Sequence, residues 1–182
     1  MATAATLDEL LAPLKADPRH SAVLLDVDGV LAPIVRHADD AHVPEPTRVP
    51  LIAVAKRYGL VACVSGRRAA IARRIVSLGS ITYVGNHGAE VLRGGRTEVE
   101  LDPEVASWSP RMEAWADEAW NEELHRLRVR AEDKDVIRAY HWRGAPDEAA
   151  AEAAVRELAV LPESPHREAL RDLAFFAADR RS

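Results

Sequence analysis

The apolar run Ala22-Val23-Leu24-Leu25 passes without a break into Asp26-Val27-Asp28-Gly29, and this junction limits what the chain can fold into more than any other stretch. Four consecutive apolar residues without alternation suit a parallel strand buried on both faces, and in open α/β sheets the chemistry sits just beyond the carboxyl ends of such strands. Asp26 is expected at that edge. A turn at Gly29 would bring Asp28 back to the same place.

The pattern repeats downstream. A helix carrying Leu7, Leu10, Leu11 and Leu14, capped by Thr6, precedes the strand. A helix starting at Thr47 and stopping at Gly59 leads to a second apolar strand, Leu60 to Val64. Ser65 and Gly66 open a further helix with Ile71, Ile75 and Leu78, and a third strand, Ile81 to Val84, runs into Gly85-Asn86-His87-Gly88. The order strand, helix, strand, helix, strand predicts an α/β fold with a Rossmann-like, doubly wound parallel sheet. From Leu92 the composition changes, so a core is expected over residues 1–91 and a small α+β cap over 92–182. The cap is expected to hold a helix from Pro110 to Leu124, a hairpin turning at Asp133-Lys134-Asp135, a helix capped by Asp147 and a last helix from Pro165 to Ala178.

Charge and cysteine content exclude several classes. The net charge is −5, and the first 91 residues hold 10 basic and 9 acidic side chains, so nothing offers a basic field to nucleic acid or to an anionic lipid surface. No apolar run approaches the roughly 20 residues that span a bilayer. The N-terminus lacks the pattern of a signal peptide, and one cysteine, Cys63, cannot form an internal disulfide. A cytoplasmic location is the expectation, with no nucleic acid and no membrane among the partners. Cys63, inside an apolar strand, reads as a core residue.

Two carboxylates one residue apart at a strand end can do a specific chemistry. Asp26 suits a nucleophile attacking a phosphomonoester, and Asp28 suits the acid that protonates the leaving oxygen and later activates water. Magnesium prefers hard oxygen ligands, which Asp26 and a main-chain carbonyl near Asp28 would supply in part. Ser65, with free amides at the following helix start, would hold phosphate oxygens. Each of these has a plainer alternative: Asp-x-Asp-Gly as a polar turn, and Ser65 as a helix cap. A calcium loop is disfavoured because the periodic ligands of an EF-hand are absent. Arg67 could pair with phosphate or with an acidic neighbour, and the sequence does not choose.

The segments DVDGVLAPIV, VSGRR, VGNHGAE and RAEDKDVIRAYHWRGAPDEAA, in that order, resemble the haloacid-dehalogenase-type phosphohydrolases, and within them the trehalose-6-phosphate phosphatases, over roughly residues 20–160. The resemblance implies a magnesium-dependent phosphatase that hydrolyses trehalose 6-phosphate through an aspartyl-phosphate, in trehalose biosynthesis. It implies Asp26 and Asp28 as catalytic and metal-binding residues. The substrate-facing set is then Asp26, Val27, Asp28, Ser65, Gly66, Arg67, Asn86, His87, Glu132 and Lys134, with Glu132 and Lys134 reaching the sugar. For those two a solvated turn is the alternative, and for Asn86 and His87 a purely structural loop. Val30 stands where the family more often has threonine.

The family pattern also includes a late lysine and an acidic loop, and neither is found after Leu161. The expectation is therefore an incomplete core, with the strand Ala22–Val27 at a sheet edge open to self-association and turnover lowered by orders of magnitude. Alternative readings are a non-catalytic remnant that binds a phosphosugar or a partner, and a phosphatase of the same superfamily acting on another sugar phosphate.

Overall fold

The computed structural model describes residues 6–35, 37–135 and 137–157. The helix expected over residues 165–178 lies outside them. Among the described residues two compact units emerge, one running up to Pro110 and including Lys134 and Ile137, the other of residues 111–133 and 138–157.

The first unit is built on a five-stranded sheet in the order β1 (Ala22–Asp26), β2 (Leu60–Val64), β3 (Thr82–Gly85), β4 (Glu90–Leu92), β5 (Glu100–Leu101). β1, β2 and β3 are parallel, whereas β4 and β5 are antiparallel additions. The α/β, Rossmann-like architecture expected from the sequence is present, and the sheet is mixed rather than parallel throughout. Helix α1 (Leu7–Ala16) precedes β1 and opens with a complete capping box, Thr6 and Glu9 satisfying each other's backbone amides. Helix α2 (Glu45–Arg57) joins β1 to β2 and begins two residues before Thr47, because the Pro44-Glu45-Pro46 run supplies the proline that a first turn accepts. Helix α3 (Ala69–Val76) joins β2 to β3 and ends at Ser77 in the left-handed conformation.

The core of this unit lies on one face of the sheet. Val23 and Leu25 of β1, Val61 and Cys63 of β2 and Tyr83 of β3 pack there with Leu51 and Val54 of α2 and with Ala69, Ala72, Ile75 and Val76 of α3. The opposite face is different. Leu24 is 64% exposed and Leu60 46% exposed, so β1 alternates in burial instead of being buried on both faces. β1 has a single hydrogen-bonded neighbour, β2, among the described residues, which is the edge the sequence reading expects.

Cys63 is fully buried in the centre of β2. Burial first, and the charge of Asp26 second, push its thiol up to about 11. A thiol held protonated is a poor nucleophile, so a disulfide reagent at pH 8 should titrate it far more slowly in the folded chain than in urea. The raised value stabilises the fold fully below the ordinary thiol range near 9 and loses that contribution as pH climbs towards 11. A chemical-denaturation series between pH 8 and 11 should show stability falling; a rise would contradict the burial.

The second unit gathers the end of α4 (Pro103–Ala119), α5 (Glu122–Arg126), the antiparallel pair β6 (Arg130–Asp133) and β7 (Arg138–His141), and α6 (Glu148–Arg156). Leu124, Leu127, Val129 and Ala151 form its core, with Tyr140 and Trp142 packed against them. Trp115 meets Tyr140 edge-on and Trp120 stacks on it. Asp147 caps α6 by accepting from the Ala150 amide at 3.0 Å, as its position in the sequence predicts. The helix expected from Pro110 instead starts at Pro103, where Asp102 Oδ1 accepts from the amides of Glu104 and Val105. Among the described residues, no helix is long and apolar enough to cross a membrane.

Candidate active site

Parallel register decides which side chains meet at the carboxyl edge. Asp26 lies level with Val64, and Val64 with Val84. The loops after β1, β2 and β3, carrying Asp28, Ser65 and Asn86, therefore leave the sheet side by side.

After Asp26 the chain turns at once. The Val27 carbonyl accepts from the amides of Leu31 at 3.1 Å and Ala32 at 2.8 Å, and Gly29 donates to the Ala32 carbonyl at 2.8 Å. Gly29 sits at φ +86°, a conformation that an L side chain rarely adopts. This turn brings Asp28 back over the edge, as its spacing from Asp26 predicts. Val27 itself is fully buried, and its amide donates to Asp26 Oδ1 at 2.7 Å. Arg67 grips Asp28 with a two-pronged fork, Nε to Oδ2 and Nη2 to Oδ1, both 2.8 Å, and its Nη1 reaches the Ala38 carbonyl at 3.0 Å. Of the two partners the sequence allowed for Arg67, the acidic neighbour is the one it holds. Bidentate pairing of this kind fixes the carboxylate plane as well as its charge.

Ser65 is buried and bends its own loop, its hydroxyl oxygen accepting from the Arg67 amide at 3.1 Å. It does not cap α3. That helix begins four residues later, behind Arg68, whose side chain makes no cap bond. The first helical amide, of Ala69, is instead bonded by Glu90 Oε1 from β4. Free amides at the start of α3 were expected to face an anion; a buried carboxylate occupies the first of them, a favourable place for negative charge. The Ala69 amide is thereby taken up within the first unit.

Glu90 is 3% exposed and is the residue that sequence reasoning missed. A single acid in the otherwise apolar stretch Ala89-Glu90-Val91-Leu92 was the available signal, since a buried carboxylate is rarely tolerated without a partner. Gly85 makes the arrangement possible: a Cβ there would stand 2.7 Å from Glu90 Oε1 and 2.8 Å from Ala69 Cα.

Asn86 and His87 both adopt positive φ, +47° and +58°. The Asn86 amide donates to the Arg67 carbonyl at 2.8 Å, and the His87 amide to the Ser65 carbonyl at 3.2 Å. The His87 ring covers Gly66, where a Cβ would come within 2.6 Å of its Cε1. Asn86 is buried, and its Nδ2 donates to the Lys134 carbonyl at 3.2 Å. The Lys134 ammonium in turn donates to the Gly66 carbonyl at 3.0 Å. Asp26, Asp28, Ser65, Gly66, Arg67, Asn86, His87 and Lys134 thus all belong to the first unit. Glu132 belongs to the second, where it meets His141 Nε2 at 2.8 Å. Among the described residues, no three His, Cys, Asp or Glu side chains cluster to hold a metal ion. A pocket of about 300 Å³ lined by Arg68, Ile71, Glu90, Val99 and Asp135 contains neither Asp26 nor Asp28.

Comparison with known proteins gives a consistent picture. Residues 24–171 match the family model described as trehalose-phosphatase. A 69-residue stretch is 41% identical to the probable trehalose-phosphate phosphatase D of Arabidopsis thaliana, covering 38% of this chain and 18% of that protein. A stretch of the same length is 36% identical to the probable trehalose-phosphate phosphatase 4 of Oryza sativa subsp. japonica, with the same shares. The solved C-terminal domain of the C. albicans trehalose-6-phosphate phosphatase superposes with a TM-score of 0.64 at 22% identity, over 86% of this chain and 55% of that one. A trehalose-6-phosphate phosphatase related protein gives 0.60 at 19%, over 76% and 60%. The matches therefore span little more than half of those solved chains and under a fifth of the curated relatives.

Proposed function

The chain belongs to the trehalose-phosphatase family, and from that premise we propose that it is a magnesium-dependent phosphatase that hydrolyses trehalose 6-phosphate to trehalose and phosphate. The observation that carries this reading is the single turn at the end of β1 that sets Asp26 and Asp28 beside the Ser65 loop. The Asp26 carboxylate attacks phosphorus; the new P–O bond forms as the bond to the sugar oxygen breaks, and Asp28 gives that oxygen its proton. Asp28 then takes a proton from water as it attacks the aspartyl-phosphate, which releases phosphate and restores Asp26. The Ser65 hydroxyl orients the phosphoryl oxygens. Proton delivery requires the Arg67 fork to open, since both Asp28 oxygens are engaged by it.

The donor set fits magnesium in part. The Asp26 carboxylate and the Asp28 main-chain carbonyl are hard oxygens of the kind the ion takes while keeping several waters. Bound there, magnesium would neutralise the charge gathered between nucleophile and phosphate. The reading carries with it a cytoplasmic location, where a charged sugar phosphate that cannot cross a bilayer is retained.

The test is phosphate release from trehalose 6-phosphate by the purified chain, in magnesium and in EDTA, with glucose 6-phosphate in parallel. Release that needs magnesium and favours trehalose 6-phosphate is expected. Equal release from both esters would move the substrate to another sugar phosphate. A second reading, a chain that binds a phosphosugar without turning it over, is favoured by the Arg67 fork on Asp28 and by there being, among the described residues, no group of three His, Cys, Asp or Glu side chains placed to hold a metal ion. No release, with binding retained, would decide for it.

A further inference from the structure

We propose that Asn86 is a positioning residue that fastens Lys134 to the loop Ser65–Arg67 and so couples recognition of the sugar to the group that holds phosphate. What the loop and Lys134 bind rests on the phosphatase reading; the fastening itself does not.

Three bonds converge on Asn86. Its amide donates to the Arg67 carbonyl at 2.8 Å, its carbonyl accepts from the Ala89 amide at 3.2 Å, and its side-chain Nδ2 donates to the Lys134 carbonyl at 3.2 Å. The side chain is 1% exposed, so it acts through Lys134 rather than on a ligand. Lys134 is tied back a second time, its ammonium to the Gly66 carbonyl at 3.0 Å. The segment is also turned on itself, with the Lys134 amide donating to the Ile137 carbonyl at 2.9 Å and Asp135 at φ +67°. A main-chain bond through Asn86 and a side-chain bond to Gly66 thus hold one residue against one loop.

The residue type follows from the geometry. The Lys134 carbonyl only accepts, so Asn86 must present its NH₂ group, which fixes the amide orientation. Aspartate has no such donor and would bury a charge facing carbonyl oxygens. Asparagine is also among the few residues with a side chain that readily adopt φ +47°. Asn86 Oδ1 is buried with no hydrogen-bond partner among the described residues, so the side chain is held through its Nδ2 group alone.

Asn86→Gly tests this, because glycine keeps the left-handed backbone and removes only the amide. Hydrogen exchange should rise in the Lys134–Ile137 segment and the Ser65–Arg67 loop, with β3 unchanged. Affinity for trehalose 6-phosphate should fall about tenfold, while affinity for inorganic phosphate stays within about twofold. Lys134→Met should mimic this loss, and the double variant should add little to either one. Unchanged exchange at Lys134, equal weakening of both ligands, or full additivity would overturn the proposal. If neither ligand binds the unaltered chain, the phosphatase reading fails, and the exchange measurement still decides the fastening.

Discussion

Replacing Asp26 by asparagine is expected to lower phosphate release from trehalose 6-phosphate by at least about 10³-fold, with no change in the melting temperature. Asparagine keeps the oxygen that accepts from the Val27 amide at 2.7 Å, so the turn after β1 retains its anchor. What it loses is the charge and nucleophilicity of a carboxylate, which no neighbouring group can replace when the phosphoryl group must be attacked in line. Asp28→Asn should cost less, on the order of 10²-fold, the lower end of what a general acid and base contributes to an otherwise intact site. Steady-state kinetics with a thermal melt on each variant separates the two effects. An Asp26→Asn chain that still turned over at half the original rate would remove Asp26 as the nucleophile and with it the proposed mechanism. Near-total loss with Asp26→Asn and a milder loss with Asp28→Asn would assign the two roles in the proposed order.

Much of the core was legible because its signals are local. The apolar runs of β1, β2 and β3, the Thr6 cap and the Asp147 cap each depend on residues within four positions of one another, and local propensity is what a sequence displays directly. Features set by distant partners were not. Arg67 and Asp28 lie 39 positions apart, and Glu90 and Ala69 lie 21 apart; both pairs exist only once the parallel register has formed. The two short antiparallel strands were hidden for another reason. β4 has three residues and β5 two, too few to show alternation, and Gly94-Gly95 between them reads as the beginning of a linker. Pro110 misled because proline marks a first helical turn more often than an interior, yet here it lies inside α4. The exposure of Leu24 could not be foreseen either, since four apolar residues in a row carry no record of whether one face of the sheet is left open.

Gly85→Ala should be the most damaging single methyl group in the first unit's site, costing about 3 kcal/mol or more and lowering the melting temperature by roughly 6–12 °C. Its Cβ would be driven against Ala69 Cα at 2.8 Å and Glu90 Oε1 at 2.7 Å, and still closer to the Ala69 amide nitrogen. Two of these three atoms are backbone at the first turn of a helix and cannot rotate away; the third is the carboxylate that bonds that same amide. Relief therefore requires α3 to withdraw from β3. Because α3 follows the Ser65–Arg67 loop directly, its withdrawal also draws the loop from the carboxyl edge beside Asp26. Gly66→Ala provides the contrast. Its Cβ would meet only the exposed His87 ring, 2.6 Å from Cε1, and a ring can swing out of the way at little cost. Thermal melts of the two variants should differ by several degrees, with Gly85→Ala the lower. Equal melting temperatures would mean that α3 is not seated through Gly85 and Glu90, and that the loop is held at the edge by its bonds to Asn86 and His87 alone.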